Sequence, residues 1–330
     1  MDENLEEPNI MRIVHDPEVS RRKERRHDRV LKTVAVLPSL ATLGNLLCGL
    51  GAIYVCMLSM QAGGAGRHFT PIDGARLSNF FPSFLAIAAY LLFASMFFDA
   101  IDGRLARMTR KTSEFGAQLD SLADVVSFGV APAVLVLCIA YPGDVTALSG
   151  PARAYWRAEW VMAAVFVSCA ALRLARFNVE SVADESAHMG FRGLPTPGAA
   201  GAVISLVILH QDLLVGTMSD WTYRLIGRMM PPFAMVLGLL MVSRFGYPHV
   251  VNAILRGRRP FRQIVGMVII LLIGLVVQFQ LTIAIAAVLY ALSGPVGAAV
   301  RKMRGITPGA PAQGETSTPE TTGEPSRQSI

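Results

Sequence analysis

The chain has 330 residues, 52% of them hydrophobic and only 16% charged, with a mean hydropathy of +0.45. A soluble domain of this length carries more charge and shorter apolar runs, and the period-two alternation of an outer-membrane barrel is missing; the expected class is an all-α polytopic membrane protein. On such a protein the net charge of +6 reports sidedness, and it points away from nucleic acid as a partner.

Residues 1–33 are polar and lack the apolar core of a cleavable signal peptide, so none is expected. Their stretch "RRKERRHDRVLK" (21–32) is basic, and it suits either an interfacial helix on anionic lipid or a plain orientation signal. Eight apolar spans follow, at roughly 35–60, 82–103, 117–141, 158–177, 196–216, 229–243, 263–278 and 280–299. The sixth is short, and only a tight turn near "QFQ" separates the last two. With this count, 24 Lys and Arg fall on one side of the membrane and six on the other. That asymmetry predicts cytoplasmic termini and an even number of spans. The tail from residue 305 is rich in Pro, Gly, Ser and Thr and is expected to be disordered. Cys48, Cys56, Cys138 and Cys169 all lie in apolar runs without metal-ligand spacing, which makes them packing residues.

The informative stretch is "FFDAIDGRLARMTRKTSEFGAQLDSLAD" (97–124). Asp99 and Asp102 are three apart at the end of the second span, and Asp120 and Asp124 are four apart at the start of the third. Each pair shares a helix face. If spans two and three are antiparallel neighbours, the four carboxylates converge at the membrane boundary. Carboxylates inside a membrane are costly and repel one another. The oxygen set they form suits Mg²⁺, Mn²⁺ or Ca²⁺, and two ions could share it. Gly103, Ala106 and Gly116 keep the aspartate faces small, while Arg107 offers a fork for phosphate oxygens. Carboxylates, an arginine and open backbone together point to phosphoryl transfer.

The pattern D-x-x-D-G-x-x-A-R, eight residues, G-x-x-x-D-x-x-x-D resembles the signature of the CDP-alcohol phosphatidyltransferases. Asp99, Asp102, Gly103, Ala106, Arg107, Gly116, Asp120 and Asp124 occupy every position of it, with "MTRKTSEF" as the spacer. The resemblance implies transfer of a phosphatidyl group from a CDP-linked lipid to an alcohol with release of CMP. It implies a six-span catalytic core, over about 34–245, whose active site opens to the cytoplasm. A basic segment (1–33) would precede this core; a basic loop with two further spans (246–304) and the tail (305–330) would follow. Asp99, Asp102, Asp120 and Asp124 would hold the metal, and Asp124 would also be the base on the acceptor hydroxyl. Gly103, Ala106, Arg107 and Gly116 would line the CDP-lipid site. Thr42 and Asn45, in "PSLATLGNLLCG" (38–49), would join them, although hydrogen bonding between helices is the simpler role for that pair. A homodimer in a bacterial inner membrane is also implied.

The signature does not name the acceptor. "ALRLARFNVE" (171–180) and "GFRGLPTPGAAG" (190–201) resemble stretches of the membrane-embedded phosphatidylserine synthases of bacterial and archaeal type. That implies L-serine as acceptor and CDP-diacylglycerol as donor. Arg173 and Arg176, with Arg192, suit the serine carboxylate, and Asn178 and Thr196 suit its other polar groups; ordinary cytoplasmic-side charge would also account for the arginines. Pro195 and Pro197 are expected to keep the start of span five irregular. Within the family, glycerol 3-phosphate, inositol phosphate or choline would be the alternative acceptors. Outside it, a cation transporter could also use intramembrane carboxylates, but such sites lie nearer the midplane.

Overall fold

The computed structural model describes residues 17–63, 81, 83–109, 114–183, 193–213, 219–247 and 261–303. Every described element is helical. In chain order they are α1 (Pro17–Gly63), α2 (Phe84–Thr109), α3 (Glu114–Asp124), a π-helical segment π1 (Val125–Val130), α4 (Ala131–Ala140), α5 (Gly150–Ala183), α6 (Thr196–Ile208), a second π-helical segment π2 (Leu209–Leu213), α7 (Asp220–Val242), α8 (Phe261–Val277) and α9 (Phe279–Met303).

Among the described residues, six stretches of helix are long and apolar enough to cross a membrane: Pro38–Gln61, Phe84–Leu105, Phe115–Ala140, Gly150–Val179, Asp220–Val242 and Phe279–Met303. The chain is therefore an integral membrane protein. Of the eight expected spans, the fifth is α6 continued by π2, so no uninterrupted α-helix of full length forms there. The seventh falls in α8 (Phe261–Val277), in which Val268–Val277 is an apolar stretch among the residues whose side chains are described. The sixth is longer than expected, because α7 already begins at Asp220, and it passes through Pro231 and Pro232 without a break. Residues 21–32 are helical and continuous with the first span, within one 47-residue helix. The tail from 305 lies outside the described residues.

α1 shows why these sequences pack as they do in lipid. Leu40, Leu43, Leu47, Leu50, Tyr54 and Met57 recur every three or four residues and are exposed, as a lipid-facing stripe must be. The opposite face carries Ala41, Thr42, Asn45, Ala52, Cys56 and Ser59, all buried. Bulk points to the acyl chains, and small or polar residues point to the neighbouring helices. Ser127 shows how close the approach is. Its hydroxyl donates to the Asn45 carbonyl at 3.1 Å, and a Cβ on Gly49 would collide with it.

The core is formed by α4, α6 and the faces of α1, α2, α5 and α7 that meet them. At the end holding the start of α2 and π2, a polar network is buried in it. Ser83 donates to Gln211, Gln211 to the Tyr223 hydroxyl, and Tyr90 to Asp212 at 2.8, 3.0 and 3.2 Å. The His210 ring stacks on Tyr223 with centroids 4.0 Å apart. Between α5 and α7, the fully buried Glu159 faces Arg228 at 3.5 Å, and that guanidinium lies 4.6 Å from the Tyr155 ring centroid.

α6 departs from expectation at its start. Pro195 is its N-cap and Pro197 lies in its first turn, where a missing N–H costs nothing. The helix thus begins cleanly at Thr196. Gly193 makes the preceding turn with φ +87°, and a Cβ there would strike the Met241 carbonyl oxygen. Its N–H donates to the Phe245 carbonyl at 2.8 Å, and that of Leu194 to the Leu240 carbonyl at 3.1 Å. The turn before α6 is therefore fastened to the end of α7.

Candidate active site

The aspartates converge. Carboxylate oxygens of Asp99, Asp120 and Asp124 all lie within 4.8 Å of one another. α1 supports this convergence, because both α2 and α3 pack against it. The spacing within each helix put each pair on one face; packing on a common partner brings the two faces together. Asp102 is buried beside Thr42, and it is near Asp99 and Asp120. The Thr42 hydroxyl also lies 3.0 Å from the Pro38 carbonyl.

The donor set fits a hard divalent cation. Oδ2 of Asp102 and Oδ1 of Asp120 are buried and have no hydrogen-bond partner. Buried carboxylate oxygens without a donor are costly, and a cation is the partner that removes the cost. All the converging groups are carboxylates, the donor type of Mg²⁺ and Mn²⁺ sites.

Asp124 is held from behind. Asn45, fully buried on α1, donates from Nδ2 to Asp124 Oδ1 at 3.1 Å. Ser95 donates to Asn45 Oδ1 at 2.5 Å, which fixes the amide with its NH₂ toward the carboxylate. Neither Ser95 nor Ser127 was singled out from the sequence. Ser95 had a signal: it is four residues before Asp99, on the same helix face. Ser127 had none, because its position follows from π1, where the register shifts immediately after Asp124. Pro132, which cannot donate to the helix ladder, lies just beyond that shift.

The other sequence-derived candidates divide. Gly103 is exposed, and a Cβ there would meet open space, which leaves room against the end of α2. Gly116 lies in the first turn of α3. Ala106 and Arg107 are in α2, but their side chains lie outside the described residues, as does Arg192. Arg173 and Thr196 meet: Nη1 of Arg173 donates to Thr196 Oγ1 at 3.1 Å, and the guanidinium is close enough to Asp124 to interact with it. Asn178 instead donates to Ser121 of α3 at 2.8 Å, and Arg176 is exposed. Arg173 thus reaches α6 while Asn178 reaches α3.

A family model described as CDP-alcohol phosphatidyltransferase matches residues 35–242. The chain is 36% identical over 166 residues to the CDP-diacylglycerol–serine O-phosphatidyltransferase of Helicobacter pylori (strain ATCC 700392 / 26695), a stretch covering 49% of this chain and 61% of that protein. It is 36% identical over 164 residues to the enzyme of the same name from Methanocaldococcus jannaschii, with 50% and 65% covered. With the Bacillus subtilis (strain 168) enzyme of that name, identity is 28% over 220 residues, covering 64% of this chain and 90% of the relative. The chain thus spans less than two thirds of the first two relatives. The matched region 35–242 is more than half of the chain and contains all four aspartates, Asn45, Arg173 and Thr196: the chain belongs to the CDP-alcohol phosphatidyltransferase family.

Proposed function

We propose that this protein is a phosphatidylserine synthase, which transfers the phosphatidyl group of CDP-diacylglycerol to the hydroxyl of L-serine and releases CMP. The observation that carries the reading is the meeting of Asp99, Asp120 and Asp124 within 4.8 Å, with Arg173 and Thr196 joined beside Asp124. The names of the three relatives support serine as the acceptor.

In this reading Asp99, Asp102, Asp120 and Asp124 hold divalent metal, Mg²⁺ or Mn²⁺, as two ions. The metal, when bound, neutralises the pyrophosphate oxygens of the donor and the charge on the departing phosphate. Asp124 takes the proton of the serine hydroxyl as its oxygen attacks the phosphorus esterified to the lipid. A new P–O bond to serine forms, the anhydride bond to the CMP phosphate breaks, and CMP leaves carrying the electron pair. Asn45 and Ser95 keep Asp124 aimed while this happens. Arg107, Gly103, Ala106, Gly116 and Thr42 line the CDP-lipid site. Arg173 receives the serine carboxylate, with Thr196 beside it; Arg176 and Asn178 flank the approach from the end of α5.

The catalytic unit is residues 34–245, preceded by a basic segment at the membrane surface. The two C-terminal helices and a tail follow it. Both termini and the site face the cytoplasm of a bacterial inner membrane, and the protein is a homodimer. The test is CMP release by purified protein with CDP-diacylglycerol, Mn²⁺ or Mg²⁺, and one acceptor at a time. Serine-dependent release supports the reading. Release driven instead by glycerol 3-phosphate, inositol phosphate or choline moves the protein elsewhere in its family.

A further inference from the structure

The family match ends at residue 242, and α9 lies beyond it. Yet α9 is not a bystander: it packs along α6, the helix that begins at Thr196. Tyr290 is part of that contact. A Cβ on Gly198 would come within 3.0 Å of Cε1 of the Tyr290 ring, so that ring lies against bare backbone one turn into α6. Tyr290 is also close enough to Arg173 for the two to interact electrostatically.

Arg173 has unused capacity there. Nη1 is engaged by Thr196, but Nε is buried without a partner. Tyr290 is half-buried, and the Arg173 guanidinium is its charged neighbour. A buried guanidinium N–H without a partner, and a phenol held near it, are the groups that a small zwitterion requires. Tyr290 is also held in place from outside the family-matched region. Tyr247 donates its hydroxyl to the Ala291 carbonyl at 3.0 Å, and its ring is 5.9 Å from that of Tyr290. The segment carrying Tyr247 is the one that fastens the turn at Gly193. One set of contacts thus fixes Tyr290, the start of α6 and Arg173 relative to each other.

We propose that the C-terminal helix α9 completes the acceptor subsite, with Tyr290 binding the amino-acid acceptor alongside Arg173 and Thr196. The inference rests on the serine-synthase reading. It extends that reading by giving a residue outside the family-matched core a part in acceptor choice.

The test is Tyr290→Phe, which keeps the ring on Gly198 and removes only the hydroxyl. The expected result is an acceptor KM raised about five-fold, the scale of one hydrogen bond, with the KM for CDP-diacylglycerol and the thermal midpoint unchanged. Gly198→Ala, which pushes the ring away, is expected to raise the same KM without touching any polar group. Combined with Arg173→Lys, the effect of Tyr290→Phe is expected to be less than multiplicative, because both act on one ligand. An unchanged acceptor KM in Tyr290→Phe overturns the proposal, and so does a loss confined to kcat together with a lowered midpoint, which is how a mere brace between helices behaves. The unaltered protein separates the two ideas. If it releases CMP with another alcohol and not with serine, the serine reading fails, and the subsite is judged by the KM for that alcohol.

Discussion

At the residue scale, Asp124 and Asn45 are the pair to separate. Asp124→Asn is expected to lower CMP release by about 10²-fold or more, the usual range for loss of a general base, with the fold retained. Asn45→Ala leaves every carboxylate in place but removes the donor at 3.1 Å that orients Asp124. Its expected cost is about 10–100-fold in activity or metal affinity, typical of groups behind a metal ligand. Metal titration of CMP release distinguishes the two, since only the Asn45 variant regains rate at high Mn²⁺. That Asp99 pairs with Asp102, and Asp120 with Asp124, on one helix face each was legible from their spacing. That Asn45 serves one of them was not: the two are 79 residues apart, and a buried Asn in an apolar helix suits any interhelical hydrogen bond.

At the scale of elements, the start of α6 and the joint between α5 and α7 decide how the bundle holds. Gly193→Ala places a Cβ against the Met241 carbonyl at φ +87°. A strained backbone there is expected to cost about 1–3 kcal/mol and to lower the thermal midpoint in detergent. Arg228→Ala leaves the buried Glu159 without its cation. A buried charge stripped of its partner costs about 3–5 kcal/mol, and since Arg228 is partly exposed, the lower end is expected. Glu159→Gln on that background should recover much of the loss, because a neutral amide tolerates burial better than an unpaired carboxylate. The expectation of an irregular start to α6 was mistaken for a physical reason. A proline disrupts a helix only where its N–H is needed, and in the first turn none is.

At the scale of the whole molecule, the division of charge makes a topological prediction. Cys56, Cys138 and Cys169 are buried and Cys48 is half-buried, which leaves a quiet background for labelling. A cysteine at Asp144, in the exposed turn between α4 and α5, is expected to react with a membrane-impermeant maleimide in intact cells. One at Lys302, at the end of α9, is expected to react only after permeabilisation. The opposite pattern would invert the site and put it out of reach of a cytoplasmic nucleotide lipid.

The class, the spans of α1 to α5 and the aspartate signature follow from short stretches of sequence. All three are local matters: apolar length sets a span, and helical period sets which residues share a face. Helix packing decided that the two aspartate pairs meet over α1, that Asn45 and Ser95 stand behind Asp124, and that Arg173 pairs with Thr196 while Asn178 turns to Ser121. It also decided that α9 lies on the bare backbone of Gly198. These depend on helix rotation and on close approach at small residues. Both are set by the summed packing of many side chains, and no short stretch of sequence encodes that sum.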